Sequence, residues 1–164
     1  MTVYNYCSPE WLEESANRYS QNEELKSKLK KLSAKMGFKV TANPGHGLDN
    51  DIVFAAFIDN GNLTRLSFIS EEEARAKCDY ILMAETSEWS QILRKKFKFI
   101  ARFMMQKVKL DHGEKIDVLK LGPYANDLVE VLTQADVRYP DEMSEAEIES
   151  FREKLNVFRS RIKV

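Results

Sequence analysis

The sequence predicts a single domain that combines helices with a β-sheet, because the spacing of its apolar residues changes along the chain. Near the N-terminus and from residue 144 onwards, apolar residues recur every three or four positions, which is typical of helices that bury one face. Between residues 38 and 84 they alternate with polar residues or form short runs, which is typical of strands. The length of 164 residues fits one such domain.

The composition excludes several classes of protein. Hydrophobic residues make up 43% and charged residues 31%, and the net charge is −1, so a strongly basic nucleic-acid-binding domain is not expected. Cys7 and Cys78 lack metal-ligand spacing and are interpreted as cytosolic thiols. No apolar run approaches the roughly 20 residues that span a bilayer, and the first residues lack the apolar stretch of a signal peptide. We therefore expect a cytoplasmic protein.

Two helices are predicted at the N-terminus. Ser8-Pro9-Glu10 provides a capping residue, a proline suited to the first helical position and an acidic residue in the first turn. Asn22 caps a second helix, whose apolar residues continue to Met36. Gly37 would end that helix as a C-terminal cap.

The middle of the chain predicts a sheet with one tight hairpin. Asn60-Gly61 suits a type I′ turn, which needs a positive φ angle at both central residues. Strands are predicted at residues 38–42, 51–58, 63–69 and 78–84, with a charged crossover at 71–77.

Thr86 or Ser87 is predicted to cap the next helix, which would break near Lys96 and continue to Met105. A short strand at 107–111, a helix at 114–121, a further helix from Pro123 and a linker at 137–140 follow.

The last segment begins with a capping box formed by Ser144 and Glu147. The apolar residues that follow lie three and four positions apart and form one stripe on a helix. This stripe suits packing on its own domain, and it also suits a homodimer contact. Its members are Ile148, Phe151, Leu155, Phe158 and Ile162.

Signals for catalysis are weak. His46 and His112 have no partner at metal-ligand spacing. The chain has no Gly-x-Ser-x-Gly elbow, no phosphate-cradling glycine loop and no Cys-x-x-Cys pair. We therefore predict no catalytic residue, no metal and no cofactor.

The most informative stretch is 89–110, which carries seven basic residues and no acidic one. Read as a helix, its apolar residues cover about twice the width that one buried face needs. One flank of this face can pack on the sheet. The other flank could be covered by neighbouring helices, by an apolar ligand or by an anionic membrane surface.

The order of these elements and their motifs resemble the sterol carrier protein type 2 family. The fourth strand, Asp79-Tyr80-Ile81-Leu82-Met83, is followed by a capped helix with tryptophan, Ser87-Glu88-Trp89-Ser90-Gln91-Ile92-Leu93. A helix rich in Phe and Met, Phe99-Ile100-Ala101-Arg102-Phe103-Met104-Met105, precedes the lysine-flanked strand Lys107-Val108-Lys109-Leu110. The hairpin from Phe54 to Phe68 also fits the family.

The resemblance implies an α+β domain with a curved, mainly antiparallel five-stranded sheet, helices on one face and an apolar tunnel between them. It implies binding and transfer of lipids without covalent chemistry, with ligands such as fatty acids, fatty acyl-CoA, sterols or isoprenoid lipids. The domain would occupy residues 1–138, and residues 139–164 would form a linker and an appended amphipathic helix.

Two other functions stay open at this point. One is an accessory subunit with a closed tunnel that binds a partner protein of lipid metabolism, and the other is an enzyme acting on a thioester. For the lipid-binding function, Lys98 and Arg102 are the predicted partners of the ligand head group. The predicted tunnel residues are Phe54, Phe68, Trp89, Leu93, Phe99, Ile100, Phe103, Met104, Met105, Leu119, Leu121, Tyr124 and Leu128.

Overall fold

The structure is a computed structural model that describes residues 2–164. The strands are β1 (Val3–Asn5), β2 (Ala34–Val40), β3 (Ile52–Asp59), β4 (Asn62–Ile69), β5 (Tyr80–Ala84), β6 (Lys109–His112) and β7 (Asp136–Arg138). The helices are α1 (Pro9–Gln21), α2 (Glu23–Leu29), α3 (Glu71–Lys77), α4 (Thr86–Leu93), α5 (Phe99–Met104), α6 (Lys115–Leu119), α7 (Ala125–Thr133) and α8 (Glu145–Ile162). Within the described residues, no helix is both long and apolar enough to cross a bilayer.

The main sheet has five strands in the order β4-β3-β2-β5-β6. Every neighbouring pair is antiparallel except β2 and β5, which run parallel. The predicted α+β fold with a mainly antiparallel five-stranded sheet is therefore confirmed. Most helices lie on one face of the sheet, whereas α3 packs on the opposite face through Ala74.

Several caps and turns lie where the sequence predicts them. The Ser8 hydroxyl accepts a hydrogen bond from the Trp11 amide at 3.2 Å and caps α1. At the hairpin, Asn60 and Gly61 have φ angles of 47° and 80°, as a type I′ turn requires. A residue of α1 also holds this turn, because the Tyr19 hydroxyl donates a hydrogen bond to the Gly61 carbonyl at 2.6 Å. The predicted cap of α4 by Thr86 or Ser87 is wrong, because Glu85 precedes the helix and no side chain caps it.

The prediction that the second helix continues to Met36 is wrong. Helix α2 ends at Leu29, and Met36 lies in β2, which is bonded on both sides by β3 and β5. Gly37 therefore does not cap a helix. A Cβ atom at Gly37 would lie 3.1 Å from Ile81 Cγ1, so the glycine permits close contact across the sheet.

The predicted linker at 137–140 also differs from the structure. Residues Asp136–Arg138 form β7, which pairs in parallel with β1 in a small second sheet. Tyr139 and Pro140 are buried. These contacts hold the chain against the domain before the last helix begins.

Helix α8 begins with the predicted capping box and packs on its own domain. The Ser144 hydroxyl accepts from the Glu147 amide at 3.2 Å. Phe151 and Leu155 are buried in the main core, and the Phe158 ring lies 5.9 Å from the Phe68 ring. The domain boundary after residue 138 and a homodimer through α8 stay predictions.

Candidate functional site

An apolar cavity of about 60 Å³ lies between the main sheet and helices α1, α4, α5 and α7. Its lining is wholly apolar. The structure brings six of the predicted tunnel residues together around it: Phe54, Trp89, Leu93, Phe99, Leu121 and Leu128.

Aromatic rings form the sheet side of the cavity. The Phe54 ring stacks on Phe38 at 5.1 Å and meets the edge of Trp11 at 5.9 Å, while Phe38 meets Trp89 at 5.8 Å. Both indoles have their N–H groups satisfied by backbone carbonyls. Trp11 donates to Leu132 at 2.8 Å and Trp89 to Lys39 at 3.1 Å, so the rings present only apolar surface to the cavity.

Seven further residues line this cavity that were not among the predicted tunnel residues. Trp11 and Ile92 lie on helix faces whose apolar pattern is visible in the sequence, so a signal for them existed. Tyr6 lies outside any predicted helix or strand, and no pattern identifies it. The seven are Tyr6, Trp11, Phe38, Ile92, Ala125, Val129 and Leu132.

A larger groove of about 480 Å³ adjoins the cavity on the side of α2 and α7. Four residues line both spaces, so only their side chains separate the groove from the cavity. The shared residues are Ile92, Phe99, Ala125 and Val129.

Three lysines line the groove, and they differ in their partners. Lys28 pairs with Glu24 at 3.5 Å, and Lys95 pairs with Glu130. Lys98 is exposed and has no ion pair within residues 2–164. Of the three groove lysines, Lys98 is therefore the one whose charge is available for an anionic ligand. The groove also contains the carboxylate of Asp127, which makes no ion pair in the described part of the chain.

Arg102, the second predicted head-group residue, is engaged within the protein. Its guanidinium donates two hydrogen bonds to the Glu88 carboxylate, at 2.6 and 2.7 Å, and lies 4.0 Å from the centre of the Phe97 ring. The hydrogen bonds to Glu88 raise the pKa of Arg102 above its ordinary value. Arg102 thus fastens α5 to α4.

The remaining predicted tunnel residues lie outside the cavity lining. Phe68 and Phe103 are buried in the main core, and the Phe103 ring stacks on Phe99 at 6.2 Å. Met104 and Met105 are 52% and 58% exposed. The others are partly buried or exposed: Ile100, Leu119 and Tyr124.

The described residues show no arrangement for nucleophilic or metal chemistry at the cavity. Burial raises the pKa of the Cys7 thiol to about 12 and that of Cys78 to about 11, so both are protonated at neutral pH. His46 contacts Asn43 at 3.1 Å, away from the cavity. Within residues 2–164, no three side chains are grouped to hold a metal.

Several solved structures share this architecture. A crystal structure of sterol carrier protein 2 matches with a TM-score of 0.61 at 16% identity, covering 76% of this chain and 92% of the other. A solution structure of a conserved hypothetical protein from Thermus thermophilus gives 0.68 at 16% identity, covering 84% and 94%. Sterol carrier protein 2 from Yarrowia lipolytica, in its apo form, gives 0.50 at 18% identity, covering 77% and 88%.

No protein-family model and no curated protein sequence matches the chain. The structural likeness, together with the sheet order and the helices that cover one face, shows that the chain has the fold of sterol carrier protein 2.

Proposed function

We propose that the chain binds and transfers a lipid without covalent chemistry, with the apolar tail in the cavity and an anionic head group in the groove. The observation that carries the proposal is that the two spaces adjoin and share Ile92, Phe99, Ala125 and Val129 in their walls. The groove holds three lysines and three carboxylates, and Lys98 is the lysine among them that makes no ion pair in the described residues. An apolar interior beside such a lysine suits an amphipathic ligand such as a fatty acid. The fold supports it too, since two similar structures are named sterol carrier proteins.

Ligand entry requires the cavity to widen. Pockets for small ligands measure roughly 300–1,000 Å³, well above the 60 Å³ of this cavity. Widening would require α5 or α7 to move, since these helices contribute Phe99, Ala125, Leu128 and Val129 to the wall. The driving force is burial of the tail, at about 25 cal/mol per Å² before the cost of ordering the ligand and opening the walls.

The direct test is titration of the chain with cis-parinaric acid, a fatty acid whose fluorescence rises in an apolar site. We expect saturable binding with one ligand per chain, and competition by oleate. A signal that rises without saturation, or that oleate does not reduce, would contradict the proposal.

The Lys98 charge is expected to contribute to binding of a carboxylate. Because Lys98 is exposed, its removal in Lys98→Gln should weaken fatty-acid binding by only about two- to fivefold, equivalent to at most ~1 kcal/mol. Binding of the fatty alcohol of equal chain length should not change. Lys30→Gln, an exposed lysine outside the groove, is the matched control. Equal losses for acid and alcohol would remove Lys98 from the head-group site.

The cavity volume favours a second candidate, an accessory subunit whose cavity stays closed and whose surface binds a partner protein of lipid metabolism. At about 60 Å³ the cavity holds no acyl chain without movement of its walls. This candidate predicts no uptake of parinaric acid by the folded chain. The same titration therefore separates the two functions.

A further inference from the structure

We propose that the chain docks on an anionic lipid bilayer through residues 96–119, which we term the basic apolar surface. Five of the eight large apolar side chains that are exposed in the described residues lie in this segment. They are Phe97, Met104, Met105, Ile116 and Leu119.

The two helices in this segment, α5 and α6, are each anchored to the domain by one buried side chain. In α5 the anchor is Phe103, and Met104 beside it is 52% exposed. In α6 the anchor is Val118, and Ile116 is 67% exposed. Each helix is thus packed on the domain while its neighbouring apolar side chains remain in contact with water.

The two helices lie beside the same part of the domain. Phe99 at the start of α5 and Leu121, two residues after α6, line the same small cavity. Between the helices runs β6, an edge strand of four residues, which spans only about 13 Å. The exposed apolar residues therefore lie on neighbouring elements.

The charge of this region is opposite to that of the rest of the chain. Residues 94–120 contain nine basic and three acidic residues, whereas the whole chain has a net charge of −1. Four of the nine are paired with carboxylates: Arg94, Lys95, Arg102 and Lys120. The other five make no ion pair within residues 2–164, and they are Lys96, Lys98, Lys107, Lys109 and Lys115.

Two of the three carboxylates in the same segment are engaged elsewhere, and the third, Glu114, is exposed and makes no ion pair in the described residues. Asp111 pairs instead with Lys39 and Arg75 behind the sheet, and Asp117 pairs with Lys120. Unpaired lysines interspersed with exposed methionines suit a bilayer, since apolar tips enter the acyl boundary while the ammonium groups stay at anionic head groups. Nucleic acid is less suited, because bases stack on aromatic rings. Four of the five exposed apolar side chains are not aromatic, and one face of the Phe97 ring is stacked by Arg102, which leaves only its remaining exposed part free.

This surface also adjoins the groove described above, because Phe97, Lys98 and Phe99 line that groove. A chain docked in this way would hold the groove at the bilayer. The docking itself does not depend on lipid uptake, so the two proposals fail independently: uptake is measured without vesicles, and docking with them.

The test is sedimentation of the full chain with phosphatidylcholine vesicles that contain or lack phosphatidylserine. We expect at least about tenfold tighter binding to the anionic vesicles, lost at high salt. Binding to neither vesicle, or equal binding to both, would overturn the proposal. Failure to bind either vesicle would leave a protein partner as the occupant of this surface.

Two pairs of variants locate the surface. Met104→Ser with Met105→Ser should weaken vesicle binding about tenfold, whereas Val157→Ser, at a position 61% exposed on α8, should not. Lys107→Gln with Lys109→Gln should weaken it by at least about tenfold. The charge control is Lys30→Gln with Lys31→Gln, exposed lysines elsewhere. Thermal melting confirms that each variant is folded, and equal losses for tests and controls would overturn the proposal.

Discussion

Ala125→Phe is expected to abolish fatty-acid binding while the chain stays folded. Ala125 is the first residue of α7 and lines both the cavity and the groove, so it lies where a ligand tail would pass from one to the other. The residue is only partly buried, so a phenyl ring can occupy the open space instead of forcing the core apart. Parinaric acid titration measures the loss, and far-ultraviolet circular dichroism checks the fold.

The matched control is Ala76→Phe, which adds the same side chain at an exposed position of α3, on the opposite face of the sheet from the cavity. This variant should bind the fatty acid as the unmodified chain does. If Ala125→Phe also binds with unchanged affinity, the tail does not pass through this junction and the proposed site is wrong.

Leu155→Ala is expected to lower the free energy of unfolding by about 2–5 kcal/mol, because it leaves a cavity in the core. Leu155 is 3% exposed and belongs to the main core, although it lies in the last helix of the chain. For a domain stabilised by about 5–15 kcal/mol in total, this is a large fraction. Urea denaturation, read as a shift of the midpoint at constant slope, measures the effect.

Val157→Ala, two residues along the same helix, is the control. Val157 is 61% exposed, so its truncation should change the free energy of unfolding by no more than about 0.5 kcal/mol. Equal, small effects of both substitutions would show that α8 adds little to the core. That result would favour a core domain that ends near residue 138.

The elements that could be predicted from the sequence are those specified by neighbouring residues. Ser8, Asn60-Gly61 and Ser144 act within three or four residues of themselves, through caps and a turn, and each has the predicted role. These signals are local because the hydrogen bonds that they form are local.

The errors occur where distant segments decide the structure. Residues 30–36 carry helical spacing, yet β2 is bonded to β3 and β5, and these two ladders outweigh local preference. The three-residue strands β1 and β7 pair across almost the whole chain. Strands this short have no periodicity of their own that a sequence pattern could reveal.

The same reasoning explains which of the predicted tunnel residues line the cavity. Trp89, Leu93 and Phe99 line the cavity, whereas Met104 and Met105 are exposed to solvent. A break near Lys96 was predicted, but the apolar faces of residues 89–105 were assigned as for one continuous helix. In the structure the chain leaves the helix after Leu93 and adopts a φ angle of 65° at Lys95, so α5 presents a different face to the core.

Native mass spectrometry of the intact chain shows whether the cavity accepts a lipid tail. The chain is freed of lipid by solvent extraction, refolded and incubated with oleate. We expect a mass increase of one oleate per chain, and no increase for Ala125→Phe. A refolded chain with native circular dichroism that shows no bound oleate would contradict it.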